Sequence, residues 1–123
     1  MTYSRKGKAN LLPTEEQEQR ALVQWLEMRG ILFYHVPNGG MRDAREGRKF
    51  KLLGVKPGVP DICIPIGCFG YHALYVELKR RVGGSLSAWQ ELWIQALRSR
   101  GNKAEVANGC EEAISIISEY LGI

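Results

Sequence analysis

Asp61-Ile62-Cys63-Ile64-Pro65 and Ala73-Leu74-Tyr75-Val76-Glu77-Leu78-Lys79 are the two stretches whose reading decides the fold. Both are short, apolar and rich in residues that suit a pleated strand, and a turn at Gly67–Gly70 lies between them, so they read as a β-hairpin. Pro65 has no N–H to give to a ladder, so the first strand ends there or lies at an exposed edge. With the turn centred near residue 69, an antiparallel register sets Asp61 opposite Glu77. Glu77 and Lys79 are two apart and share one face of their strand, while Val76 and Leu78 point the other way, into a core. Two carboxylates and an ammonium thus gather beside an apolar strand that has no structural need of them. One reading is a cross-strand salt bridge at a sheet edge. The other is chemical. Two adjacent carboxylates suit a hard divalent cation such as Mg²⁺, and such a cation activates water and polarises a phosphoryl oxygen. A neighbouring lysine stabilises the developing charge. That is the minimum equipment for phosphodiester hydrolysis.

Outward from the hairpin, the order of elements is that of a mixed α/β domain. Pro13-Thr14-Glu15-Glu16-Gln17 opens a helix, with Thr14 as N-cap and Gln17 three residues on; it runs to about Arg29 and stops at Gly30. Leu32 to Val36 is a short β-rich run ended by Pro37-Asn38-Gly39-Gly40. Residues 43–53 form a basic helix closed by Gly54, and Lys56-Pro57-Gly58-Val59-Pro60 is a loop. After the hairpin, Ser87-Ala88-Trp89-Gln90 repeats the capping-box pattern and opens a helix that Gly101 ends. Lys103 to Ala107 is a strand, and a last helix spans about Cys110 to Tyr120. The order is α-β-(α)-β-β-α-β-α. Residues 1–12 read as a flexible basic arm, and 13–123 as a single domain; 123 residues suffice for one domain and not two.

Charge points to a polyanion. The formal net charge is +4, a weak signal alone, but its distribution is lopsided. Arg42, Arg45, Arg48, Lys49, Lys51 and Lys56 face only Asp43 and Glu46 in the same stretch. Lys79-Arg80-Arg81 is a second basic cluster, Arg5, Lys6 and Lys8 a third, and no base follows Lys103. Solvated charge is one account of this; a phosphate-binding side is the other. On the second, Arg42, Arg45, Arg48, Lys49, Lys56 and Arg80 contact the DNA backbone. Asn38-Gly39-Gly40 either forms only a turn or brings backbone N–H groups to phosphate beside Arg42. The three cysteines, Cys63, Cys68 and Cys110, form no CxxC pair and no closed disulfide set. His35 and His72 do not complete a zinc site with them. A reducing cytoplasm is the expected compartment, and with no secretory or long apolar segment, no membrane association is expected.

Two further groups extend the hairpin site. In the first helix, Glu15 and Glu18 continue the apolar stripe of Leu22, Trp25 and Leu26, so either can look toward the sheet; acids also favour a first turn for its dipole alone. Gln90 is the third residue of the Ser87 capping box, and that structural job is compatible with a place in the active centre.

Pro60-Asp61 followed by Glu77-Leu78-Lys79 resembles the PD-(D/E)XK nuclease signature. Glu15 with Gln19, Pro37-Asn38-Gly39-Gly40, Gly54-Val55-Lys56-Pro57-Gly58-Val59-Pro60-Asp61, Tyr75-Val76-Glu77-Leu78-Lys79, and Leu86-Ser87 with Gln90 together resemble the VRR-NUC domain family, in particular its small stand-alone phage and prophage members. The resemblance runs from about Thr14 to Tyr120. It implies a restriction-endonuclease-like core, a mixed central β-sheet flanked by helices. It also implies a Mg²⁺- or Mn²⁺-dependent, structure-selective DNA endonuclease similar to Holliday junction resolvases, acting as a homodimer on branched or four-way-junction DNA in a bacterial host. Carried residue by residue, Asp61 and Glu77 are metal ligands, with the Leu78 backbone carbonyl as a further one. Lys79 is the catalytic lysine, Glu15 the helix carboxylate near or on the metal, and Gln90 an active-site polar group. Rival expectations are a less selective nickase or flap nuclease, a non-catalytic DNA-binding module, and a structural interaction domain. The last leaves the basic 42–56 stretch unexplained.

Overall fold

A computed structural model describes residues 11–37 and 43–123. The expected arm, residues 1–12, lies almost wholly outside the described residues, as do Asn38, Gly39, Gly40 and Arg42. Eight elements follow in the order read from the sequence: α1 (Glu15–Met28), β1 (Tyr34–His35), α2 (Ala44–Leu52), β2 (Ile62–Ile64), β3 (Leu74–Lys79), α3 (Ala88–Ser99), β4 (Lys103–Asn108) and α4 (Cys110–Leu121). The strands form one mixed sheet in the order β1-β2-β3-β4. The first two pairings are antiparallel and β3–β4 is parallel, so α3 is the crossover a parallel pair requires. The expected α/β architecture, a mixed sheet flanked by helices, is the one observed.

Local chemistry explains the boundaries. Thr14 caps α1 in a full capping box: its hydroxyl accepts from the Gln17 N–H at 3.1 Å, and the Gln17 side chain accepts from the Thr14 N–H at 2.9 Å. Ser87 and Gln90 open α3 in the same way. Strand β2 is only three residues long because Pro60 and Pro65 bracket it. Pro65 marks its end and not an edge, since β2 lies between β1 and β3. The hairpin turn is Cys68-Phe69-Gly70-Tyr71, with both central φ angles positive, 52° and 84°, and Cys68 and Tyr71 exchanging backbone hydrogen bonds. Tight hairpins favour that geometry because its twist matches that of the strands. Strand β1 is shorter than the run 32–36 suggested. Only Tyr34 and His35 pair in register, with Cys63 and Ile62, and Val36 adds a single backbone hydrogen bond to Asp61.

One face of the sheet is dry. Ile62, Ile64, Leu74, Val76 and Leu78 are fully buried against Leu22 and Leu26 of α1 and Ala113 and Ile117 of α4. Each such large side chain contributes about 2 kcal/mol by leaving water. The alternation along β3 then sends Tyr75, Glu77 and Lys79 to the opposite face, where α3 begins.

Candidate active site

The register is the one the turn position required. Ile62 pairs with Val76, so the next pair outward is Asp61 and Glu77. Asp61 is fixed from two sides. Its Oδ2 accepts the Leu78 N–H at 2.8 Å. Its backbone carbonyl accepts the Val36 N–H at 2.9 Å and lies 2.8 Å from His35 Nδ1, a contact in which that ring nitrogen must be the donor. The Gln19 side chain stands 3.3 Å from the same nitrogen. Glu77 is only 2% exposed. Burial, then hydrogen bonding to Asp61 and its charge, push the Glu77 carboxyl up to about 9, Glu15 adds to the rise, and only Lys79 opposes it. With one carboxyl group buried and the other half-buried beside it, a compensating cation favours carrying charge on both.

Lys79 is also buried, at 8%. Its ammonium donates to Gln90 Oε1 at 2.9 Å, and the same oxygen accepts the Ser87 N–H at 2.9 Å. Gln90 therefore holds both positions the sequence left open for it: it caps α3 and it fixes the lysine. α3 is itself seated by Gly58. With φ at +88°, a side chain there is strained, and a Cβ would come within 2.5 Å of the Trp89 backbone. The loop that delivers Asp61 can therefore lie against the start of the helix that delivers Gln90.

The two helix acids separate cleanly. Glu15 is exposed and lines a cleft of about 560 Å³ with Lys79, Arg80 and Gly83–Ser85. Glu18 faces inward and is 2% exposed. It takes Arg81 Nε at 2.7 Å and Nη2 at 3.3 Å, together with the Cys110 N–H at 3.3 Å. Arg81 is the residue here that sequence reasoning missed. It stood in the basic cluster, but its partner is 63 positions away, beyond any local pattern. Among the described residues no group of three or more His, Cys, Asp and Glu side chains is arranged as a metal cage. The carboxylates that meet are Asp61 and Glu77, with Glu15 close enough for its charge to be felt but not joined to them.

Arg45, Arg48 and Lys49 are exposed on α2, and Lys56 borders an apolar cleft with Phe50, Val55, Trp89 and Trp93. Arg80 is exposed at the rim of the Glu15 cleft, its guanidinium donating to the Gly83 carbonyl at 3.2 Å. No helix among the described residues is long and apolar enough to cross a membrane.

The family profile for the VRR-NUC domain matches residues 13–111. The solved structure of a "VRR_NUC domain protein" superposes with a TM-score of 0.78 at 28% sequence identity, over 90% of each chain. No curated protein matches the sequence.

Proposed function

This chain belongs to the VRR-NUC domain family, a nuclease-type domain, and from that premise we propose that it is a metal-dependent DNA endonuclease with Asp61, Glu77 and Lys79 at its centre. The observation that carries the reading is the buried Glu77 carboxyl facing half-buried Asp61, with the buried Lys79 ammonium beside them. Buried charge is a poor stability device, and three ionisable groups gathered at one strand end on the sheet face opposite the dry core, two of them buried, call for a chemical explanation. The donors fit Mg²⁺ or Mn²⁺: both are hard oxygens, and Mg²⁺ usually keeps several waters and takes only one or two carboxylates from the protein. Asp61 and Glu77 would hold the ion, with the Leu78 carbonyl as a further ligand and Glu15 near it. The chemistry such an ion supplies is Lewis-acid activation of the phosphodiester and acidification of water.

The chain's own groups supply the rest. Lys79, steadied by Gln90, meets the negative charge that grows on the phosphoryl oxygens as the nucleophile attacks. The cleft beside Lys79 and Glu15 receives the scissile strand, and Arg80 at its rim binds phosphate. Arg45, Arg48, Lys49 and Lys56 extend that contact along the DNA. The finer part of the proposal is selectivity for branched DNA, four-way junctions above all, by a two-fold homodimer within a phage- or prophage-carrying bacterial cytoplasm. Its support is the family resemblance and a symmetry argument: two strands must be cut, and one centre cuts one.

The test is a panel of end-labelled linear duplex, flap and four-way-junction DNAs with Mg²⁺, with Mn²⁺ and with chelator. Paired nicks on the junction that need the cation are expected. Equal cutting of linear duplex would leave the nickase reading in place of the resolvase one, and no cutting with either cation would remove the nuclease reading.

A further inference from the structure

Three ionisable side chains of acidic or basic residues are buried among the described residues: Glu77, Lys79 and Glu18. The first two belong to the proposed centre. The third has no part in the chemistry just described, and its environment is at least as specific. Glu18 receives two N–H groups from Arg81 and one from the Cys110 backbone, so both oxygens are engaged. Cys110 is the first residue of α4, and the preceding residue, Gly109, donates its N–H to the Lys79 carbonyl at 2.8 Å. Gly109 has φ at +97°, and a Cβ there would lie 2.8 Å from Arg81 Cγ and 2.9 Å from Glu18 Oε2. The absence of a side chain at 109 is what lets the carboxylate, the guanidinium and the α4 turn meet.

One carboxylate therefore ties three segments together, and two of them carry groups of the centre. Arg81 lies two residues beyond Lys79. Glu15 lies three residues before Glu18, about one helical turn away on α1. The Lys79 backbone is reached from the other side through Gly109. We infer that Glu18, through Arg81 and the start of α4, is a positioning residue for cleavage: it sets α1, and with it Glu15, against the Lys79 end of β3. A carboxylate serving stability alone would be a poor choice here, since an apolar side chain of similar volume often does as well. What the ion pair provides is a fixed angle between α1 and β3, and catalysis is steep in such geometry, with a misplacement of about 1 Å costing on the order of a hundredfold.

The inference rests on the nuclease reading, and its test separates the two. Single-turnover cleavage of labelled junction DNA with Mg²⁺ is measured for wild type, Glu15→Gln, Glu18→Gln and the double variant. DNA affinity is measured in Ca²⁺, and the thermal midpoint of each protein fixes a temperature at which all are folded. The expected result is a fall of about tenfold or more in the cleavage rate of Glu18→Gln, with DNA affinity within about twofold of wild type and the double variant no slower than Glu15→Gln alone, since the two act through one group. A Glu18→Gln protein that cuts at the wild-type rate overturns the inference. So does a double variant whose losses multiply, or a Glu15→Gln that loses nothing. Should Glu18→Gln fail to fold, Arg81→Gln replaces it, because Arg81 retains 44% side-chain exposure and its loss removes the tie from the solvent side; the same pattern is expected. Cleavage that survives Asp61→Ala would instead count against the nuclease site itself.

Discussion

Asp61 and Glu77 face one another, yet they are held differently, and substitutions should separate them. Asp61 is gripped by backbone groups on both of its ends, so Asp61→Asn keeps the shape and the Leu78 hydrogen bond while removing a charge. Cleavage should fall by roughly a hundredfold or more with the circular dichroism spectrum unchanged, and DNA should bind as well or more tightly; wild-type cutting would sink the assignment. Glu77 is tuned by burial, and this has a signature without any substrate. Its carboxyl titrates near 9 in the folded protein against 4.5 ordinarily. Between those values the folded state keeps a proton that the unfolded chain has released, so stability falls as pH rises through that window. In chelator, the thermal midpoint of the wild type should drop from pH 6 to pH 9 more steeply than that of Glu77→Gln. Parallel curves would refute the shift. This pair was legible in the sequence because an antiparallel register follows from where the turn sits. The tie between Glu18 and Arg81 was not, since nothing local distinguishes an inward acid from an outward one when both extend the same helical stripe. The structure puts Glu15 at the cleft and Glu18 behind it.

At the scale of elements, sequence reading found all eight in order, because caps, prolines and glycines punctuate this chain heavily. It overestimated β1, because apolar, β-prone composition marks residues that suit a strand but not how many of them meet a partner: only Tyr34 and His35 pair with β2. The turn between β2 and β3 carries Phe69 at φ 52° and 78% exposed. Asn tolerates that conformation far better than an aromatic side chain. Phe69→Asn should therefore raise stability by roughly 1 kcal/mol, read from urea unfolding; a loss would mean that the ring makes a contact of its own. Helix α2 raises a different question. It buries no residue and presents Arg45, Arg48 and Lys49 to solvent, as a backbone-binding element should. Replacing these three with Gln should weaken binding to all DNA sequences alike and lower the slope of log affinity against log salt by roughly one per lost contact. An unchanged salt slope would take α2 off the DNA.

For the molecule as a whole, the question is how many copies act. Trp89 and Leu92, 58% and 60% exposed on α3, offer apolar surface for a two-fold contact, whereas Ile117 of α4 is fully buried in the core. Light scattering at micromolar concentration should give twice the 13.8 kDa of one chain, and Trp89→Glu should shift the particle toward a single chain and uncouple the paired nicks. A lone chain that still makes paired nicks would end the symmetry argument. The tie at Glu18 has one more consequence, in time rather than in space. Asp61 and Leu78 are 17 positions apart and close through a tight turn, whereas Glu18 reaches across 63 positions to Arg81 and 92 to Cys110. Short loops close faster and at lower entropic cost than long ones. During refolding the hairpin that bears the carboxyl pair should form early, and α1 should dock late. A refolding chain would then pass through an interval in which the hairpin is complete but DNA is not yet cut.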